Sequence, residues 1–331
     1  MHRAFPRLFL AAAILSTFVL PARAGQVHIN VASNLFIDPT APANVTPLNQ
    51  GDHVVWVWTG ASHDVISGNP STITPDGLFS SGNLTGLATN VGTAYTWLSS
   101  VTGNRTYYCS AHAPGMAGTL QIAASGVPVC DFRITEVEFS NAGTLDRIEI
   151  ANLGDISGNL GRYRISVAAS PQQAILPVNI LDVAPGQRVT IHTNETGANT
   201  TTNVFMGGTT PTGVVFGANG NLGTTGSVAL YAPYRQTGTN GPLNSNLIID
   251  FVQWTAGGQP NEVNAVTAGL WSTGQFVTAE TLPGYSISFC GTKADHGPGF
   301  WSVTTPNFGT SGLCSTPTSN TSWGRIKVLY R

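Results

Sequence analysis

From residue 25 onward the chain alternates apolar and polar residues in short runs, and almost none of it repeats at the spacing of a helix. Val27, Ile29 and Val31 alternate, and Gly51-Asp52 turns into His53-Val-Val-Trp-Val-Trp58. Ala94-Tyr-Thr-Trp97 leads to a Gly103-Asn104 turn, Arg105 to Cys109 follows, and Gly118-Thr-Leu-Gln-Ile122 closes the series. A period of two puts successive side chains on opposite faces of a strand, while Gly, Asn, Pro and Asp between the runs supply turns. Seven or eight such runs in about 100 residues is the density of a β-sandwich. After Ser125-Gly-Val-Pro128, where Pro and Gly interrupt the pattern, a second series begins at Phe132-Arg-Ile-Thr-Glu-Val-Glu-Phe139. It continues through Asp146–Ile150, Arg162–Ile165, Val228–Tyr231, Leu247–Val252 and Tyr285–Phe289. The expected architecture is all-β: one sandwich over 25–125, a linker over 126–130, a second sandwich over 131–314 and a flexible polar tail over 315–331. The Gly-, Thr- and Asn-rich stretch from Asn194 to Gly226 reads as long turns.

Composition bounds the rest. Only 9% of residues are charged, but 41% are hydrophobic, which excludes a disordered chain. The start reads as an export signal, residues 1–24: His2, Arg3 and Arg7, an apolar run from Leu8 to Leu20, and Ala22-Arg-Ala24 as the cleavage site. That run is too short to span a bilayer, and nothing later resembles a membrane segment. Cleavage after Ala24 places the mature protein in the periplasm or outside the cell. It removes three arginines and leaves 16 acidic against 11 basic residues, a balance of −5. With no basic patch, nucleic acid is excluded as a partner.

Chemistry concentrates in Cys109-Ser-Ala-His112-Ala-Pro-Gly-Met116, at the end of a strand-like run, with Ser62-His63-Asp64 upstream. Singly, each residue has an ordinary explanation as core cysteine, surface histidine or packed methionine. Together, two imidazoles and a thiolate with a weak axial thioether are the ligand set of a blue-copper electron-transfer site. Methionine occurs three times in the chain and one is the initiator, so Met116 at this spacing is unlike incidental filler.

Residues 26–124 resemble the plastocyanin-like cupredoxins. The resemblance rests on Gly51-Asp-His-Val-Val-Trp56, Ser62-His-Asp-Val65, Phe79-Ser-Ser-Gly82, Tyr107-Tyr-Cys-Ser-Ala-His112 and Met116-Ala-Gly-Thr-Leu120. It implies a Greek-key sandwich holding one type 1 copper, with His63, Cys109 and His112 in the plane and Met116 axial. It also implies that electrons enter and leave at the His112 edge, where a redox partner protein docks briefly. Tyr108 either belongs to a second electron route or packs within its strand. The sequence departs from plastocyanin twice. Three residues rather than four separate His112 from Met116. Asp64 stands where plastocyanins usually carry an Asn that ties the two ligand loops together, and an ionised Asp accepts hydrogen bonds but donates none. Its charge near copper favours Cu(II).

The other histidines form no His-x-His pair of the kind a catalytic copper needs; His28 and His53 are expected to face solvent, and His192 and His296 stand alone. No nucleophile motif, phosphate loop or paired carboxylates appear, so the chain is expected not to be an enzyme. With Cys109 on the metal, three cysteines remain for one disulfide and one thiol, and Cys130–Cys314 and Cys290–Cys314 are equally allowed. Residues 131–312 resemble the lamin-tail domain, an immunoglobulin-like sandwich. Ile134-Thr-Glu-Val137, Asp146-Arg-Ile-Glu-Ile-Ala-Asn152, Gly158-Asn-Leu-Gly-Arg-Tyr-Arg-Ile165 and Trp301-Ser-Val-Thr-Thr-Pro306 carry that match. It implies a role in binding, anchoring or spacing, with an envelope or extracellular partner. Two functions stand: an exported one-electron carrier, or an envelope adhesion protein whose copper module is structural or sequesters copper.

Overall fold

A computed structural model describes residues 25–41, 44–60, 62–85, 93–139, 146–167, 173–177, 182–207, 222–234, 242–279 and 284–310. The export signal, Cys314 and the tail over 315–331 lie outside them. The regular structure of the described residues is nearly all β, with one short α-helix, Glu262–Thr267, and one 3-10 turn, Pro298–Phe300.

Among the described residues the first sandwich has eleven strands. They are β1 (Gln26–Ala32), β2 (Leu35–Ile37), β3 (Val45–Asn49), β4 (His53–Trp58), β5 (Ser62–His63), β6 (Ile66–Asn69), β7 (Thr74–Ser80), β8 (Leu84–Thr85), β9 (Ala94–Leu98), β10 (Gly103–Tyr108) and β11 (Ala117–Ala123). One sheet runs β2-β1-β4-β9 and the facing sheet β3-β11-β10-β6-β7, with β5 and β8 paired beside them. Parallel β1–β4 and β3–β11 pairs sit among antiparallel ones, so the chain crosses between sheets instead of meandering within one. Trp56, Tyr107, Phe36 and Phe79 interlock between the sheets at ring separations of 4.8–5.4 Å. Gly118 lies opposite Tyr107 in the β10–β11 register, and a Cβ there would stand 2.4 Å from the Tyr107 ring. The glycine is the space the ring occupies.

The second sandwich pairs a six-stranded sheet with a four-stranded one. The former is ordered Asn203–Phe205, Arg188–His192, Arg147–Asn152, Phe132–Glu138, Ser286–Phe289, Trp301–Thr304. The latter is ordered Gln173–Ile175, Arg164–Val167, Gly226–Tyr231, Ile248–Trp254. One continuous apolar core lies between them. Asn203–Phe205 is a short parallel strand inside the stretch expected to be turns only.

Residues 126–130 are clamped on both sides. Gln26 N–H donates to the Cys130 carbonyl at 2.9 Å, Asn49 and Val127 exchange two hydrogen bonds, and Asp155 N–H donates to the Val129 carbonyl. The sandwiches also meet directly: Thr96 Oγ1 donates to the Pro233 carbonyl, and Tyr95 lies 6.3 Å from Tyr234. His28 and His53 are therefore not solvent-facing. His53 is 2% exposed and its Nε2 donates to the Asn246 carbonyl at 2.9 Å, while His28 Nε2 lies 3.1 Å from the Tyr163 hydroxyl. Burial pushes each imidazole down to about 4, so both are neutral near pH 7. Cys290 is disulfide-bonded, and Cys109 and Cys130 are free thiols, which removes a Cys130–Cys314 staple.

Candidate metal centre

Two loops at one end of the first sandwich deliver three metal-ligating groups. Strand β4 ends at Trp58 and the chain turns back into β5, which carries His63. Trp58 Nε1 donates to the His63 carbonyl at 3.1 Å, and the Ser81 hydroxyl accepts the Val65 N–H at 2.9 Å, so the segment is pinned on both sides of the histidine. Strand β10 ends at Tyr108, and Cys109 follows as a fully buried residue. The loop from Cys109 to Met116 closes on itself: His112 N–H donates to the Cys109 carbonyl, Met116 N–H to the His112 carbonyl, and Cys109 N–H to the Met116 carbonyl, all at 2.9–3.2 Å. The Ala113–Pro114 peptide within it is cis.

The result is a compact group. His63 Nδ1 lies 3.7 Å from Cys109 Sγ and His112 Nδ1 lies 3.4 Å from it. The ligand atoms of all three residues fall within 4.8 Å of one another. A first-row metal bound at about 2.0–2.3 Å by imidazole and thiolate separates N from S by about 3.5–3.8 Å at tetrahedral to trigonal angles. The observed spacings fall in or next to that range. It is the single such His/Cys/Asp/Glu group among the described residues. Met116 is buried beside it, 1% exposed. The donor set, soft sulfur with two imidazoles, suits copper in both of its biological oxidation states.

The electrostatics bear on what these groups can bind. Burial and the adjoining His112 ring hold His63 below the ordinary imidazole value, against the opposing charge of Asp64. Its lone pairs are therefore available at neutral pH. Burial pushes the Cys109 thiol up, so a metal must displace the thiol proton on binding.

The departure at Asp64 proves compatible with the loop tie. Asp64 Oδ1 accepts the Ser110 N–H at 2.6 Å, and Oδ2 accepts the Ser110 hydroxyl at 2.5 Å. Both donors come from Ser110, so an acceptor-only side chain suffices. Ser110, Trp58 and Ser81 are supports that motif reading passed over. A serine directly after the candidate thiolate, facing an aspartate directly after the candidate imidazole, was the available signal. Tyr108 is 1% exposed and packs within the sheet.

No protein-family model matches the chain, and no curated protein does. Among solved structures, an oxidized amicyanin variant matches at 18% identity and TM-score 0.23, covering 34% of this chain and 89% of its own. A purple cupredoxin from Nitrosopumilus maritimus matches at 21% identity and TM-score 0.23, covering 30% of this chain and 99% of its own. Among the described residues no helix is long and apolar enough to cross a membrane.

Proposed function

We propose that the chain is an exported one-electron carrier, not an enzyme, in which a single type 1 copper is held by His63, Cys109 and His112 with Met116 as a weak axial ligand. One observation supports this above the others: two imidazole Nδ1 atoms converge on one buried thiol, at 3.7 and 3.4 Å, in loops already held by hydrogen bonds. Copper bound there would supply a one-electron couple between its two oxidation states. The protein's part is to fix the ligands. The closed Cys109–Met116 turn, the Asp64–Ser110 tie and the Trp58 hydrogen bond hold the donors in one arrangement, so little has to move on gain or loss of an electron.

His112 is half-buried while Ala111, Pro114 and Gly115 beside it are exposed. Electrons pass at that edge, and the small rim suits brief contact with a redox partner protein. The second sandwich, a lamin-tail-like module, serves binding or anchoring in the periplasm or outside the cell. The test is the visible spectrum of the mature protein with one equivalent of Cu(II), before and after ascorbate. An intense thiolate-to-copper band that bleaches reversibly is expected. Folded protein without that band overturns the ligand assignment, and a band that does not cycle leaves copper sequestration as the function.

A further inference from the structure

Gly25 follows the Ala22-Arg-Ala24 motif directly and is buried where the two sandwiches join. Its N–H donates to Asp52 Oδ1 at 2.7 Å, and its carbonyl accepts the His53 N–H at 2.8 Å. A Cβ at this position would stand 2.1 Å from Val129 Cγ2 and 3.1 Å from the Cys130 carbonyl oxygen. Only glycine fits the seat, and it is the residue that stands immediately after the cleavage motif.

Asp52 is fully buried, between the Gly51 turn and β4. Its Oδ2 accepts the Asn49 backbone N–H at 2.6 Å and the Asn49 side-chain amide at 3.0 Å. Asn49 in turn exchanges two hydrogen bonds with Val127, so one carboxylate gathers the start of β1, the end of β3 and the linker. All three donors to Asp52 are neutral, and among the described residues no Arg, Lys or His forms an ion pair with it. Buried charges in proteins are ordinarily paired. Opposite a peptide N–H, burial pushes this carboxyl up to about 6, against the pull of its three hydrogen bonds. A cation at the Gly25 nitrogen would complete the site.

Hydrolysis between Ala24 and Gly25 makes that cation. The water hydroxyl joins the Ala24 carbonyl carbon, the C–N bond breaks, and both water protons end on the Gly25 nitrogen, leaving an Ala24 carboxylate and a Gly25 α-ammonium. One N–H of the ammonium stays on Asp52 as a charge-assisted hydrogen bond, about twice as strong as a neutral one. The others have beside them a cavity of about 320 Å³ that Gly25 lines, room enough for water. Asp131 and Asp155 line the same cavity, and Asp155 is held by Lys293 at 2.6 Å.

We propose that Gly25 and Asp52 form a processing-dependent lock, in which leader removal sets the Gly25 α-ammonium on the Asp52 carboxylate and completes the junction between the sandwiches in the cleaved chain alone. Because Gly25 is buried, the leader protease cuts before this segment docks, and the precursor lacks the ion pair. The proposal rests on the export reading above and is independent of the copper. The test begins with the chain expressed with its own leader, the N-terminus of the exported protein being read by mass spectrometry. A start at Gly25 is expected. A start elsewhere overturns the lock and leaves export standing; an uncleaved chain overturns both. Urea unfolding then compares the full mature chain with one carrying three extra alanines before Gly25, which move the ammonium about 10 Å away but keep an N–H for Asp52. The extended chain is expected to lose at least tenfold in its folding equilibrium constant, and Asp52→Asn to remove that difference. Equal stability, or a gap that survives Asp52→Asn, overturns the proposal. Should Asp52→Asn not fold, ¹⁵N titration of the Gly25 amine in the wild type decides. A midpoint above the ordinary α-amine range of about 7.7–8.0 is expected, and one within or below it overturns the lock.

Discussion

Replacing Asp64 by Asn and by Ala separates two things that this side chain does. It ties the ligand loops by accepting both Ser110 donors, and it places a negative charge next to His63. Asn keeps the tie, because its carbonyl accepts the Ser110 N–H and the Ser110 hydroxyl accepts from its amide; Ala keeps neither tie nor charge. Hydrogen bonds to a charged group contribute about 1.5–3 kcal/mol each when buried. Here Ser110 is exposed, and solvent screening cuts the pair to about 1–2 kcal/mol in total. A unit charge near the surface, at an effective dielectric of about 20–40, biases Cu(II) over Cu(I) by about 1 kcal/mol, or about 40 mV. Urea unfolding of the apoprotein should therefore show Ala destabilised by about 1–2 kcal/mol and Asn nearly unchanged. Voltammetry of the copper form should show both variants shifted upward by about 40 mV. Equal destabilisation by Asn and Ala would refute the tie. An unmoved potential in both would refute the charge argument.

Cys109→Ser should abolish the intense visible band while the circular dichroism of the fold persists; a variant that stays blue would place the thiolate elsewhere. Gly118→Ala should cost about 1–3 kcal/mol in denaturant unfolding, because the new Cβ would stand 2.4 Å from a Tyr107 ring with no room to move; an unchanged midpoint would refute that packing. His53, pushed down to about 4 by burial against 6.5 when unfolded, should contribute stability that is whole above about pH 6.5 and is lost as pH falls toward 4, about 3 kcal/mol in all. Asp52, pushed up to about 6 by burial, acts in the opposite sense, its contribution present at low pH and lost as pH rises through that value. The measurement is thus the difference between wild type and His53→Gln across pH 4–7, and an absent difference would count against a buried neutral imidazole.

The all-β class was legible because alternation and turn residues are local signals, and the convergence of His63, Cys109 and His112 because these residues lie on two short loops with a known chemical logic. What failed was everything decided by the packing of one sandwich on the other. His53 looked like the polar start of a surface strand. Yet His53-Val-Val-Trp-Val-Trp58 has no polar face at all, the mark of a strand buried on both sides, and every residue of β4 is buried. Cys130 looked like a disulfide partner by position in sequence. In space it lies against Gln26, whose carbonyl accepts its thiol at 3.1 Å, and no second cysteine is there among the described residues. The Asp64–Ser110 tie was missed because motif reading compares residues at one position, whereas the hydrogen bond needs only that the pair contains donors enough.

The parallel pairing of β1 and β4 sets how the two sandwiches share the work. Gln26 is level with His53 at one end of that pair, and Val31 with Trp58 at the other. The first end meets the second sandwich, through Gln26 on Cys130 and Phe132 and through His53 on Asn246. The other end runs into the loop that carries His63, held by Trp58. Five residue steps at about 3.3 Å separate these ends by roughly 17 Å. Contacts along the side reach Tyr95, level with Trp56, and among the described residues none is recorded at the Cys109–Met116 loop. The second sandwich therefore braces the far end of the first, and none of its described residues meets the His112 edge. On the function proposed above, a chain arranged in this way could be held by one module while the other exchanges electrons, since neither surface would have to be vacated for the other to be used.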